Sequence, residues 1–360
     1  DGRSAWRIVV DENHAALRER WADRSARRAL EPIEAARARG VPVATPSPAP
    51  TLPGVHAQDG VPLERLLPYI DWTPFFSAWE LAGSYPSILE DEIVGEEAGK
   101  LHSDALQMLD CWTRDGTIEA RVTWGLWPAA RDGDDVLVWA ADPGLASGGG
   151  SATTADSAPV RVPFLRQQFA KDGRPANCLA DWIAPPNAAG APEDWIGAFA
   201  VTAGIGLDAE VARFEAEHDD YNAILARALA DRLAEAAAEW LHERVRVEHW
   251  GYAPEETLEN ADLIKEAYRG IRPAPGYPAC PDHMAKRTIF RLLDAPARGM
   301  SLTESCAILP TAAVAGWYFA HPDARYFAVG KIRRDQLADY AERKGWTLER
   351  AEELLAPNLV

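Results

Sequence analysis

The sequence predicts an α+β fold, and three observations predict it. Residues 119–130 and 134–140 alternate apolar and polar side chains around "RDGD" (131–134), the pattern of a β-hairpin. Between Asp208 and Val247 apolar residues recur at helical spacing: Val211, Phe214, Tyr221, Ile224, Leu225, Leu229, Leu233, Ala237 and Leu241. Strand and helix patterns are interspersed with no regular βαβ alternation.

The elements follow in chain order. Residues 12–39 read as an Ala-, Arg- and Glu-rich helix, with Pro32 as a break or kink. "VPVATPSPAPTLPG" (41–54) reads as an extended proline-rich linker. This divides the chain into a helical interdomain linker, 1–45, and a globular body, 46–360. In the body, 61–81 holds a short helix, a turn and an aromatic segment, and 91–112 is helical. "ASGGGSATTADS" (146–157) reads as a flexible surface loop. "NCLADWIA" (177–184) and "DWIGAFAVTAG" (194–204) read as strands, the second buried. After the long 208–247 helix, a second one covers Thr257–Tyr268 and stops at Gly270. "AVAGWYFA" (313–320) and "RYFAVG" (325–330) read as paired strands joined by "HPDA", and two helices close the chain.

Composition excludes several function classes. The 37 basic and 55 acidic side chains give a net charge of −18. A general nucleic-acid or anionic-membrane binder would need the opposite balance. No apolar run is long enough to span a membrane, and no secretory signal is present. The cysteines, Cys111, Cys178, Cys280 and Cys306, form no C-x-x-C pair, which points to a reducing cytoplasm. The chain starts at Asp1 rather than Met and is expected to be a piece of a longer polypeptide.

Familiar catalytic signatures are missing: H-E-x-x-H, G-x-S-x-G, the Walker A loop and G-x-G-x-x-G. Two E-x-x-H pairs, Glu215/His218 and Glu239/His242, resemble half of a di-iron site. On one uninterrupted helix they would stand about 36 Å apart, too far to share a metal centre, and read better as solvated helix faces. His321 in "AHPDARY" reads as a structural turn histidine ahead of a catalytic one.

The most unusual stretch is "IRPAPGYPACP", Ile271–Pro281. Its prolines fix φ and push the preceding residues towards extended geometry, giving a rigid non-helical segment whose carbonyls are largely free. It reads either as a stiff connector or as a preformed ligand wall. In the second reading Arg272 holds an anion, Gly276 lets the backbone come close and Tyr277 presents a ring. Asp71 in "YIDWTPFF" suits an Asx turn or helix cap. Asp231 and Glu235 lie one helical turn apart and share a face, by default a solvated acidic one. Of Tyr326 and Phe327, at least one is expected in the core.

Together, seven stretches resemble the activation module of cobalamin-dependent methionine synthase, its C-terminal S-adenosylmethionine-binding domain. They are "YIDWTPFFSAWELAGSYPSILEDEIVGEEAGKL" (69–101), "EAEHDDYNAILARALADRLAEAAAEWLHERVR" (215–246), "WGYAPEE" (250–256), "GIRPAPGYPACPDH" (270–283), "LTES" (302–305), "GWYFAHPDARYFAVGKIRRDQLADYAERKG" (316–345) and "LAPNL" (355–359). The resemblance runs in order from about residue 61 to the C-terminus. Residues 1–60 are similar, more weakly, to the linker from the preceding cobalamin module.

The resemblance implies a single large domain with a twisted, mainly antiparallel sheet flanked by helices. It implies a module that supports reductive remethylation of cob(II)alamin to methylcobalamin in methionine biosynthesis. S-adenosylmethionine supplies the methyl, and flavodoxin or an equivalent reductase supplies the electron. The cobalamin is held by a separate module, and this chain alone is not expected to make methionine. It further implies ligand contacts at Asp71, Glu235, Arg272, Ala274, Gly276, Tyr277, Tyr326 and Phe327. Asp231 and Tyr277 are implied at the cobalamin-domain interface. A relative carries two tyrosines where this chain has Tyr326 and Phe327, so a second hydroxyl contact is lost here. For the acidic reductase, a local basic patch including Arg325, Lys331, Arg333 and Arg334 is expected. The alternative is a stand-alone S-adenosylmethionine-binding or scaffold protein without reactivation activity; a di-iron oxidase is the third reading.

Overall fold

The structure, a computed structural model, describes residues 30–42, 44–140, 158–169 and 173–360. The 12–29 part of the predicted N-terminal helix and the 146–157 loop lie outside the described residues.

A curled antiparallel sheet organises the chain. Its strands are β1 (Gly54–Val61), β2 (Glu119–Asp132), β3 (Asp135–Val138), β4 (Val160–Pro163), β5 (Asp194–Ile205) and, after the short β6–β7 pair (Ser301–Leu302, Ile308–Leu309), β8 (Ala313–Tyr318). The order is β4-β3-β2-β5-β8, with β1 also pairing with β2. The predicted hairpin is present as β2–β3, from Ala129↔Val138 to Asp132↔Asp135.

Alternation along the strands feeds two cores. Val122, Trp124 and Leu126 of β2, Phe199 and Val201 of β5 and Tyr318 of β8 face one cluster. That cluster includes the helices Trp72–Ala78, Gly95–Asp115, Leu207–Ala216 and Asp220–Arg244. Trp127, Ile196, Ala198, Trp317 and Phe319 face the other, with the helix Ala285–Leu293 and part of 271–280. The long helix Asp220–Arg244 lies close on the sheet because many of its inward positions are alanine. A third, smaller cluster joins Leu165 and Val329 to the C-terminal helices Arg334–Lys344 and Leu348–Leu354.

The structure corrects four element assignments. The expected 208–247 helix is two helices, broken where His218 takes a left-handed φ of 58° and Asp219 caps the second by accepting the Asn222 N–H. The E-x-x-H pairs therefore do not share one helix. Residues 177–184 form a 3-10 turn at Leu179–Trp182, because Asp181 turns inward to accept from the Cys178 N–H and the buried Arg166. The 257–268 helix shrinks to Asn260–Ile264, ended as Glu266 takes a φ of 55°. Residues 325–330 do not pair with 313–320; the Val329 N–H instead donates to the Pro278 carbonyl. His321 thus closes its own local turn and stacks on Trp182.

Residues 30–42 and 44–50 pack on the body. Ile33–Ala38 is helical, and Arg37 joins Asp134 at 2.9 Å and Asp339 at 2.8 Å. Further on, the Ser47 N–H donates to Asp194, and Trp250 Nε1 donates to the Pro48 carbonyl. Beneath Arg37 the fully buried Arg166 is held by Asp134 and Asp181 at 2.6 and 2.7 Å. Such an arrangement is tolerable only because every charge meets an opposite one.

Candidate ligand-binding site

The Ile271–Pro281 stretch adds an irregular edge beside β8. Ile271 and Phe319 exchange both backbone hydrogen bonds, and the Trp317 N–H donates to the Pro273 carbonyl. The chain then folds on itself, with Tyr277 N–H donating to Ala274, Cys280 N–H to Tyr277 and Gly276 N–H to Cys280. This corrects the expectation of largely free carbonyls. Most of them accept from N–H groups within the wall or on facing segments, and those bonds, with the prolines, hold the wall still. Gly276 is required in this loop: its φ is 98°, and a Cβ there would lie 2.3 Å from the His283 ring.

The wall borders a cavity of about 490 Å³. Glu235, Arg272, Ala274, Tyr277, Tyr326 and Phe327, all singled out in the sequence, line it together. Gly276 lies in an adjoining cavity that shares Glu235, Ala274 and Tyr277 with the first. Asp71 lines neither; its Oδ1 accepts the Thr73 N–H and caps the helix Trp72–Ala78. Asp231 is exposed one turn before Glu235, and Tyr277 is 58% exposed at the cavity.

Arg272 is the cation of the site. Its Nη2 donates to Glu239 Oε2 at 2.8 Å, and its backbone N–H donates to the Tyr326 hydroxyl at 3.0 Å. Its Nε is buried without a hydrogen-bond partner, and Nη1 stands 4.0 Å from Glu235. Burial alone would lower the guanidinium's pKa. The Glu239 carboxylate and the nearby tyrosine hydroxyls outweigh it, so the group stays charged. Burial raises the Tyr326 phenol, which remains a neutral partner.

Glu266 escaped sequence reading. It lines the cavity, and burial raises its carboxyl pKa against the pull of Arg272. Its position inside an apparently helical stretch carried no signal. Glu239 also departs from expectation: it and His242 are buried, so this E-x-x-H pair is not a solvated face. Among the described residues, no group of three His, Cys, Asp or Glu side chains is placed to hold a metal ion. No described helix is long and apolar enough to cross a membrane.

The expected basic patch is largely occupied by local contacts. Lys331 donates to the Pro357 and Leu359 carbonyls, Arg333 to the Leu30 carbonyl, and Arg334 pairs with Glu352.

Chemically, the cavity offers one guanidinium with donor capacity left, two carboxylates, three aromatic rings and apolar walls from Pro273 and Val314. That set suits a zwitterionic ligand with a planar group. Residues 62–345 match the model of the family described as "Vitamin B12 dependent methionine synthase, activation domain". The chain is also similar to a solved structure described as "Crystal Structure of the MetH Reactivation Domain bound to AdoHcy". The two share 49% identity with a TM-score of 0.84, over 92% of this chain and 98% of that one.

Proposed function

Because the chain belongs to the family of vitamin B12-dependent methionine synthase activation domains, we propose that the Arg272 cavity binds S-adenosylmethionine and presents its methyl for cobalamin remethylation. The observation that carries this reading is Arg272, partly buried and charged, with Nε unpartnered beside the rigid 273–279 wall. The similar structure with AdoHcy, the demethylated form of that ligand, supports it.

The ligand's parts find counterparts. Its carboxylate meets Arg272. Its ammonium and sulfonium meet the carboxylates of Glu235 and Glu266, with aromatic faces attracting the sulfonium by about 1 kcal/mol. The backbone at Ala274 and Gly276 lines the adenosine region. Tyr326 and Phe327 supply rings, and the missing hydroxyl of Phe327 leaves ring contact only. Asp71 adds a contact through the carboxylate oxygen its helix cap does not use. Asp231 and exposed Tyr277 face the incoming cobalamin module.

Cobalamin, when presented by that separate module in its reduced state, would be the acceptor of the ligand's methyl group, with S-adenosylhomocysteine as the product released from this site. This chain's residues contribute orientation and exclusion of water. The methyltransferase activity therefore belongs to the complete enzyme, with flavodoxin or an equivalent reductase as electron donor. Residues 1–45 are the linker to the cobalamin module and 46–360 the activation domain. The free thiols of all four cysteines suit a cytoplasmic location.

Calorimetric titration tests the reading. The parent chain binds S-adenosylmethionine, and Arg272→Lys, which keeps the charge but not the planar fork, binds it about tenfold more weakly or worse. A folded parent that does not bind refutes it.

A further inference from the structure

Behind Arg272 a file of alternating charges runs into the core. Glu239 Oε2 accepts from Arg272 Nη2 at 2.8 Å, and Glu239 Oε1 lies 3.7 Å from Arg246 Nη1. Arg246 Nη2 stands 2.6 Å from Glu256. Arg246 is fully buried, with its guanidinium 4.4 Å from the Tyr268 ring centre. His242, one turn from Glu239, is also fully buried and lies between Tyr318 and Tyr268.

We propose that Glu239 is a positioning residue for ligand binding: standing beside the charge of Arg246, it holds the Arg272 guanidinium away from Glu235 and leaves Nε without a protein partner, for the ligand's carboxylate to meet. The inference rests on reading the cavity as the S-adenosylmethionine site.

Two carboxylates compete for Arg272. Glu239 holds it at 2.8 Å, whereas Glu235, which lines the cavity, stands at 4.0 Å. An arginine side chain has rotamers enough to swing from one to the other. If Arg272 closed onto Glu235, the anion-binding donor and a cation-binding carboxylate would neutralise each other. Glu239 opposes this because only 8% of the residue is exposed and Arg246, 3.7 Å from its other oxygen, attracts it through charge without a hydrogen bond. Glu239 does not line the cavity itself, so its effect reaches the ligand through Arg272.

The experiment compares S-adenosylmethionine with decarboxylated S-adenosylmethionine, which keeps the sulfonium, the amine and the adenosine. Glu239→Gln removes the charge at nearly constant shape. The expected result is about a tenfold weaker Kd for S-adenosylmethionine and a clearly smaller loss, about threefold or less, for the decarboxylated ligand, which lacks the carboxylate for Arg272 and feels only the partial neutralisation of Glu235. Equal weakening of both would show a merely structural role and overturn the inference. So would a loss of less than twofold for S-adenosylmethionine. Should Glu239→Gln not fold, Glu239→Asp, which keeps the charge and withdraws it by one methylene, faces the same comparison. A parent chain that binds neither ligand refutes the proposed function itself.

Discussion

The Tyr326 hydroxyl accepts the backbone N–H of Arg272 at 3.0 Å, tying the 325–330 segment to the start of the proline-rich wall. Two segments 54 residues apart in sequence therefore set the height of Arg272 in the cavity together. Tyr326→Phe keeps the ring but leaves that N–H without its acceptor. The expected loss is about 1–3 kcal/mol of stability, read from urea unfolding. A loss under about 0.5 kcal/mol means the bond does not hold the wall.

Gly276→Ala places a methyl group against the His283 ring on a backbone with φ of 98°. It is expected to cost about 1–3 kcal/mol and to weaken ligand binding. Adding His283→Ala removes the clash but not the backbone strain, so the double variant recovers only part of the loss. Full recovery shows that sterics alone set the need for glycine.

Arg166 is fully buried between Asp134 and Asp181. Arg166→Met leaves two buried carboxylates short of their cation and should destabilise the chain by about 3–5 kcal/mol. A shift below about 1 kcal/mol in denaturant unfolding contradicts the reading of this network as a structural anchor.

The fold also makes stability depend on pH. Burial first, then Arg246 and Arg272, hold the His242 imidazole well below its ordinary value, so it stays neutral in the folded chain. Unfolded, it takes up a proton near pH ~6.5. Below that pH the unfolded state binds more protons, so stability falls as pH falls, by up to about 1.4 kcal/mol per pH unit for one such group. His102, His249, His283 and His321 are lowered as well, each chiefly by burial, and act in the same direction. His242→Phe keeps the stack on Tyr318 and should flatten the stability profile between about pH 7 and 5 by roughly one proton. An unchanged slope contradicts this.

Arg37 bridges Asp134 and Asp339 from the N-terminal segment. Arg37→Ala should speed amide exchange across Ile33–Ala38 while the β2–β5 ladder stays protected. Unaltered exchange means that other contacts dock this segment.

Much of the architecture is written in local patterns. The β2–β3 hairpin follows from alternation and β5 from its continuous apolar run, the mark of a strand buried on both faces. The closing helices follow from periodicity. What failed depended on distant partners. Leu179, Ala180, Trp182 and Ile183 look like a buried strand, and nothing nearby reveals that Asp181 turns inward to meet Arg166. The break at His218 is a non-glycine left-handed residue with no local signature. In the site, the wall was legible because prolines act locally, and the cap at Asp71 because Asx chemistry does. Glu239 was not, since its burial depends on Arg272, 33 residues away. Glu266 reaches the cavity only because its helix ends early.

The most direct test of the central claim is a crystal structure of this chain with S-adenosylmethionine. The account predicts ligand density in the cavity lined by Glu235, Glu266, Arg272, Tyr326 and Phe327, with the carboxylate on Arg272. A ligand bound elsewhere, or bound here with its carboxylate turned away from Arg272, would contradict it.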